Sequence, residues 1–227
     1  MLLSQKTIEI FKYFSNISPS ILVRSGNVLR ARNAAKTILT KAVLEDSFPE
    51  DFVIYSIPEF LKTINLFNEP NIEFDSTHML ISEGGLKVRY MYSPIELYQN
   101  APNDEDYNPE DINWSMKLTL EESDLANIKK ASSVLNLNTI SFTQDGIVVY
   151  KDKDKDSNNF KMQYPSDVVY SGNSPEDFEI NFPTESFDVY SGKYELSFFC
   201  SKRSGVKMIN EESNVTIWLA SNPSSRV

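Results

Sequence analysis

Carboxylates at alternate positions, Asp152-Lys153-Asp154-Lys155-Asp156, are the nearest approach to a ligand site, because that spacing opens a calcium-binding loop. Such a loop also needs glycine at its sixth position and a bidentate glutamate at its twelfth. Here those positions hold Ser157 and Gln163, and lysines interleave the acids, so the run reads as a solvated hairpin loop. His78 is the one histidine, which leaves little room for a zinc site and no partner motif for general-base work. Cys200 is the one cysteine. It cannot close an internal disulfide, which suits a reducing compartment, and within Phe198-Phe199-Cys200 it reads as a buried thiol. No glycine-rich phosphate loop occurs, so nucleotide hydrolysis is not expected. The residues therefore predict no catalytic group, no metal and no cofactor. An enzyme using paired carboxylates would have no motif behind it.

What is left is charge. The 227 residues carry 22 bases and 32 acids, a net of −10, which argues against a general nucleic-acid coat. The distribution says more. Residues 1–41 hold seven bases and one acid, whereas residues 94–113 hold six acids and no base. A basic opening segment in an acidic chain points to contact with a polyanion on one face. An apolar fraction of 41% supports real cores, and no run of about 18 apolar residues occurs to span a membrane. Met1-Leu2-Leu3-Ser4-Gln5 lacks the basic and apolar regions of a signal peptide, so the N-x-S/T sequons at Asn16, Asn113 and Asn214 read as chance.

The elements that must position these charges follow one plan twice. Pro94–Asn113, with three prolines and no periodicity, reads as a linker between a domain at 1–93 and a domain at 114–227. The first half opens with a helix capped by Ser4, its stripe being Ile8, Phe11 and Phe14 with Ile10 flanking. Strands follow at 20–24, 27–31, 36–43 and 52–57, with Ser25-Gly26 as a turn. Pro58 starts a short helix running to Phe67, and strands at 71–74, 79–82 and 86–92 close the half. The second half reads as a strand at 116–120, a helix at 121–135 on Leu125, Ile128 and Leu135, and strands at 139–143, 147–150 and 160–164. Asp145-Gly146 makes a hairpin turn. A strand at 178–182, a helical turn from Pro183, and strands at 194–200, 206–209 and 215–219 complete it. Phe52 and Phe178 correspond, as do Phe60 and Phe187, at offsets of 126 and 127. The fold class is α+β: two similar domains of antiparallel sheet, two helices in each.

Beyond this plan, the sequence resembles the DNA polymerase sliding clamps, and most of all those of T-even-type bacteriophages. Ser4, Thr7, Lys12 and Phe14 carry the likeness in the opening helix, followed without a gap by Ile17, Ile21, Ser25, Gly26 and Arg32. Ile54-Tyr55, Phe60-Leu61 and Leu66 continue it. The second half adds Asp124-Leu125, Lys130, Ser132, Leu135, Thr139-Ile140, Thr143, Gly192, Tyr194, Leu196, Asn214 and Ala220. The resemblance implies a non-enzymatic processivity factor. Three subunits close head to tail into a ring, with helices lining the hole and sheets forming the wall. The ring encircles duplex DNA independently of sequence and tethers the replicative polymerase. It is placed by an ATP-driven clamp loader in the cytoplasm of the infected host, and T-even relatives also serve late-transcription factors. The alternative is a non-enzymatic assembly protein of a phage particle.

Three sites are expected on that basis. Lys6 and Lys12 lie off the first helix stripe, Lys62 off the second, and Lys129 and Lys130 off the third. With Arg24 and Arg32 these are the DNA-facing candidates; Lys12, Arg24, Arg32 and Lys130 stand at basic positions of the family. Glu121, Glu122 and Asp124 suit a helix N-terminus but repel phosphates. Glu185 and Asp188 make a DNA contact from Pro183–Tyr190 doubtful. The second expected site is an apolar pocket for polymerase and loader tails, drawn from Ile95, Leu97, Tyr98, Trp218, Leu219, Ala220 and Pro223. The third is the subunit contact. There the strand with Leu86, Val88, Tyr90 and Tyr92 would meet a neighbour's strand with Phe160, Met162 and Tyr164.

Overall fold

The computed structural model of the chain describes residues 1–98, 102, 114–151, 157–171, 177–199 and 204–226. The chain divides into two compact units, Met1–Tyr107 and Asn108–Val227. Most of the acidic stretch 94–113, the loop Asp152–Asp156 and Cys200 lie outside the described residues.

The first unit begins as Ser4 dictates. Its hydroxyl accepts from the Thr7 N–H at 3.1 Å and starts helix α1, Gln5–Ile17. The buried stripe is Thr7, Ile10, Phe11 and Phe14 rather than Ile8, Phe11 and Phe14; Ile8 is only half-buried. Spacing of 3, 4 and 7 gives a wider apolar face than a strict three-residue step. Strand β1 (Ile21–Val23) pairs antiparallel with β4 (Phe52–Ile54), and β2 (Gly26–Arg32) with β3 (Ile38–Phe48). Strand β3 runs past the expected end at Val43 because burial continues on alternate residues through Leu44 and Phe48. Asp46, inside it, accepts the Ser4 backbone N–H at 2.8 Å and so joins the strand to the helix start. Helix α2, Ile57–Ile64, has Ser56 as its cap and Pro58 in its first turn, and it stops three residues short of Phe67. Strands β5 (Asn71–Asp75), β6 (His78–Glu83) and β7 (Leu86–Met91) form a separate antiparallel sheet. Glu83 accepts the N–H groups of Asn68 and Glu69, each at 3.0 Å, which holds its carboxyl below the usual range. The core is aromatic: the Phe11 ring lies 5.6 Å from Phe60 and 6.1 Å from Phe48, and Phe48 lies 5.5 Å from Phe52.

The second unit carries strand β8 (Trp114–Leu120) and helix α3 (Glu122–Leu135). Glu121 and Asp124 cap that helix reciprocally, and Asn136 ends it at φ 54°. Strands β9 (Thr139–Thr143), β10 (Gly146–Tyr150), β11 (Asn159–Met162) and β13 (Glu179–Pro183) form one antiparallel sheet in the order β11-β10-β9-β13. A second run of antiparallel pairs joins β12 (Val169–Tyr170), β8, β14 (Tyr194–Phe199), β15 (Gly205–Asn210) and β16 (Val215–Ala220). The two-residue β12 was not expected. Its exposed Val169 and Tyr170 show no alternation to mark it.

One expectation is corrected. Among its described residues the second unit has a single α-helix, and its counterpart of α2 is a 3₁₀ turn, Thr184–Phe187. The cause is local: Pro183 offers no side-chain cap where Ser56 offers one, and only Phe187 is buried where α2 buries Ile57, Phe60 and Ile64. One buried residue does not sustain a second turn.

Gly146 opens β10 at φ +139°, and a Cβ there would stand 2.5 Å from the Met162 carbonyl oxygen. Gly146→Ala is expected to cost about 1–3 kcal/mol, read as a lower urea midpoint; an unchanged midpoint would show that β10 and β11 are not held that closely.

Candidate DNA and partner interfaces

The cations of the first unit stand clear of its core. Lys12 and Lys62 are exposed on α1 and α2, and Arg24 is exposed in the turn between β1 and β2. None of the three forms an ion pair among the described residues. Lys6 is half-buried, 3.7 Å from Glu45. Arg32 is placed differently. On β2, Leu29 and Ala31 are buried and face the same side as Thr40 and Ala42 of β3; that side continues to Phe48, which meets Phe11 of α1. Arg30 and Arg32 therefore lie on the opposite face of the hairpin from α1. Arg32 is close enough to Tyr98 to oppose the upward push that burial gives the phenol. The strand alternation held this information, since Leu29 and Ala31 interleave with the two arginines.

In the second unit two of the three cations on and beside α3 are matched. Lys129 is bonded to Asp188, and Lys193 sits 2.7 Å from Glu121, which raises the lysine pKa above its usual value. Ser191 donates to Glu122. Lys130 alone of these lysines is exposed with no ion pair among the described residues. The sequence marked Asp188 and Glu121 as acids but not their partners, because Lys129 and Asp188 are 59 residues apart.

The expected pocket residues separate by burial. Ile95 and Leu97 lie on a 3₁₀ turn, Ile95–Leu97, and are 44% and 74% exposed. Tyr98 is half-buried and donates its hydroxyl to the Ser20 carbonyl at 3.1 Å. In the second unit Trp218 and Leu219 are buried in β16, and the Lys207 ammonium stands 5.7 Å from the Trp218 ring centre. Ala220 and Pro223 are exposed. The segment after β16 is pinned along β13: Asn222 N–H donates to Asn181 O at 2.7 Å, and Arg226 and Glu179 exchange both backbone bonds. The Arg226 guanidinium also meets the Glu179 carboxylate at 2.8 Å.

Both strands expected at the subunit contact are sheet edges among the described residues. Strand β7 pairs only with β6, and β11 only with β10. Leu86 is exposed, while Val88, Tyr90 and Tyr92 are half-buried. The Tyr90 ring packs 5.6 Å from Phe60, and burial first, with Glu59 second, pushes its phenol up to about 12. Tyr92 stacks on Phe52 at 4.9 Å. On β11 Phe160 and Met162 are half-buried; Tyr164, beyond the strand, donates to the Thr143 carbonyl. Met91, 59% exposed, belongs to the same edge and was missed. Its signal was that apolar residues occupy both faces of Leu86–Met91.

With this geometry in place, comparison with known proteins gives a consistent result. The family model of DNA polymerase processivity factors matches residues 4–105. A sliding clamp of Vibrio phage KVP40 is 26% identical over 199 residues, 87% of this chain and 90% of that protein. A sliding clamp of Enterobacteria phage T4 is 24% identical over 96% of both chains. Among solved structures, the A. fulgidus PCNA with the C-terminal region of FEN-1 bound superposes at a TM-score of 0.64. It is 10% identical and covers 100% of this chain and 97% of that one, a likeness of fold. These relatives set aside the particle-assembly alternative. By a family model over residues 4–105, by relatives along most of its length and by fold, the chain is similar to the DNA polymerase processivity factors, the sliding clamps of phages such as KVP40 and T4.

Proposed function

We propose that this chain is a sliding clamp that works as a homotrimeric ring without catalytic activity, closed around duplex DNA through pairing of β7 on one subunit with β11 on the next. The observation that carries the ring is the pair of unpaired edges, one in each unit. A long edge with exposed apolar side chains is a liability in a free chain, and a head-to-tail contact that closes removes it. Leu86, Val88, Tyr90 and Tyr92 then form one side of each junction, and Phe160, Met162 and Tyr164 the other.

The mechanism is topological. A closed ring leaves DNA only at an end, so it needs no tight phosphate contacts, each of which would add a counterion-release term and slow sliding. Weak attraction suffices, and the exposed Lys12 and Lys62 supply it, with Lys6 and Arg24 adding to the field. Arg32, on the far face of its hairpin, acts instead beside Tyr98.

The polymerase is held by its apolar tail. The neighbour structure shows such a clamp with a partner's terminal region bound. Here Ile95 and Leu97 are the exposed apolar anchors, with Tyr98 fixed beneath and Ala220 and Pro223 the exposed candidates of the second unit. An ATP-driven loader and late-transcription factors use the same apolar chemistry, in the cytoplasm of the infected host. Among the described residues no helix is long and apolar enough to cross a membrane.

The test combines mass and retention. Solution mass is expected at three times 25.9 kDa. After loading on nicked circular DNA, the protein is expected to stay bound and to be lost on linearisation. Retention that survives linearisation with both ends free would contradict a sliding ring. Lys12→Glu is expected to lower processivity about tenfold without changing the trimer mass, since one reversed charge at a phosphate contact costs on the order of 1–2 kcal/mol.

A further inference from the structure

The two units present unlike helix surfaces to a duplex. In the first, Lys12 and Lys62 are exposed and form no ion pair among the described residues, Glu9 accepts from the Gln5 side chain, and Glu59 is the one acid of α2, so Lys6, Lys12 and Lys62 outnumber the two helix acids. In the second, α3 begins with Glu121, Glu122 and Asp124, and the 3₁₀ turn and its end supply Glu185 and Asp188. Five carboxylates on α3 and the turn thus stand against Lys129, Lys130 and Lys193, and two of these three lysines are bonded to carboxylates.

The difference follows from the local fold. Helix α2 completes two turns and places Lys62 in the last of them. Its counterpart stops at Phe187, so the chain leaves the turn at Asp188, and Asp188 meets Lys129 across α3. Residues 188–193 tie to α3 at three points: Asp188 to Lys129, Ser191 to Glu122, and Lys193 to Glu121.

We infer that the duplex is held from the first unit, and that Asp188 stands in for a phosphate on Lys129, so that the second unit's helix surface repels rather than grips DNA. The inference rests on the proposed ring and deepens it. Each surface ion pair alone is worth only about 0–1 kcal/mol, so the bond itself is no barrier. The effect is on the field. Charges on one surface act on an approaching phosphate together, each more weakly beyond a Debye length of about 10 Å, and here the five carboxylates outnumber the three lysines. A ring gripping through one unit of each subunit makes fewer phosphate contacts and slides more freely.

The test reads the salt dependence of retention on nicked circles, as the slope of log affinity against log salt. Lys12→Gln and Lys62→Gln are each expected to flatten the slope by about 0.9 for every phosphate that is no longer neutralised. Lys129→Gln is expected to leave it unchanged. Asp188→Asn is expected to steepen it, and Lys129→Gln in that background to return it to the starting value. The inference is overturned if Lys129→Gln flattens the slope as much as Lys12→Gln does, or if Asp188→Asn leaves it unmoved. In either case wild-type retention still stands and the ring with it. If wild-type protein is not retained on circles at all, the ring itself fails and takes this inference with it.

Discussion

Phe142→Ala is expected to destabilise the second unit by about 3–5 kcal/mol, the loss typical of a fully buried phenylalanine. Phe142 has no exposed surface, and its ring lies 4.6 Å from Phe198, 5.7 Å from Phe187 and 6.0 Å from Phe182. Those three rings come from β14, the 3₁₀ turn and β13, so one truncation leaves a cavity where several elements meet. Collapse is hindered because Phe182 and Phe187 are already in contact at 5.6 Å and cannot both move in. A domain is stable by about 5–15 kcal/mol, so the loss is a large share of the total. Both tryptophans, Trp114 and Trp218, belong to this unit, and their fluorescence in urea follows its unfolding separately from the first unit. Phe142→Leu is expected to cost less than half as much, because it keeps most of the volume. A fluorescence transition moved by less than about 1 kcal/mol in the alanine variant would show that the four rings are not the unit's core.

Leu86→Glu combined with Met91→Glu is expected to dissociate the ring, giving a solution mass near 25.9 kDa. Leu86 and Met91 are 62% and 59% exposed on the free edge of β7, so neither change disturbs the interior of its own unit. Covering such a side chain at a junction stabilises it by about 1.5–3 kcal/mol. Replacing two with carboxylates removes that gain and adds the cost of desolvating charge, which weakens the junction by well over about a hundredfold. The circular dichroism melting curve of the monomer is expected to stay where it was. A trimer that survives the double substitution would mean that β7 is not a ring junction.

Much of the fold could be read locally. Ser4 and Ser56 cap their helices, Pro58 occupies a first turn, and Gly84 and Gly146 adopt the positive φ that their turns require. Each of these depends on residues within a few positions, so the sequence alone was enough. The edges β7 and β11 were also legible through the resemblance, although Met91, on the other face of β7 from Leu86, Val88 and Tyr90, was not among the residues it named. Arg32 shows a signal present and unused, since its alternation with Leu29 and Ala31 sets it on the face opposite α1.

The sequence by itself determined the helix starts, the split of charge and the family resemblance, because caps, turns, periodicity and composition are properties of neighbours along the chain. Only the tertiary structure decided which groups meet. It buried Trp218 and Leu219 in β16, ran β3 on to Phe48, reduced the last helix to a 3₁₀ turn, and set Asp188 against Lys129. The physical reason is the same in each case. Burial and ion pairing are settled by residues distant in sequence, and a lysine that looks free on a helical wheel is free only until the chain returns with a carboxylate.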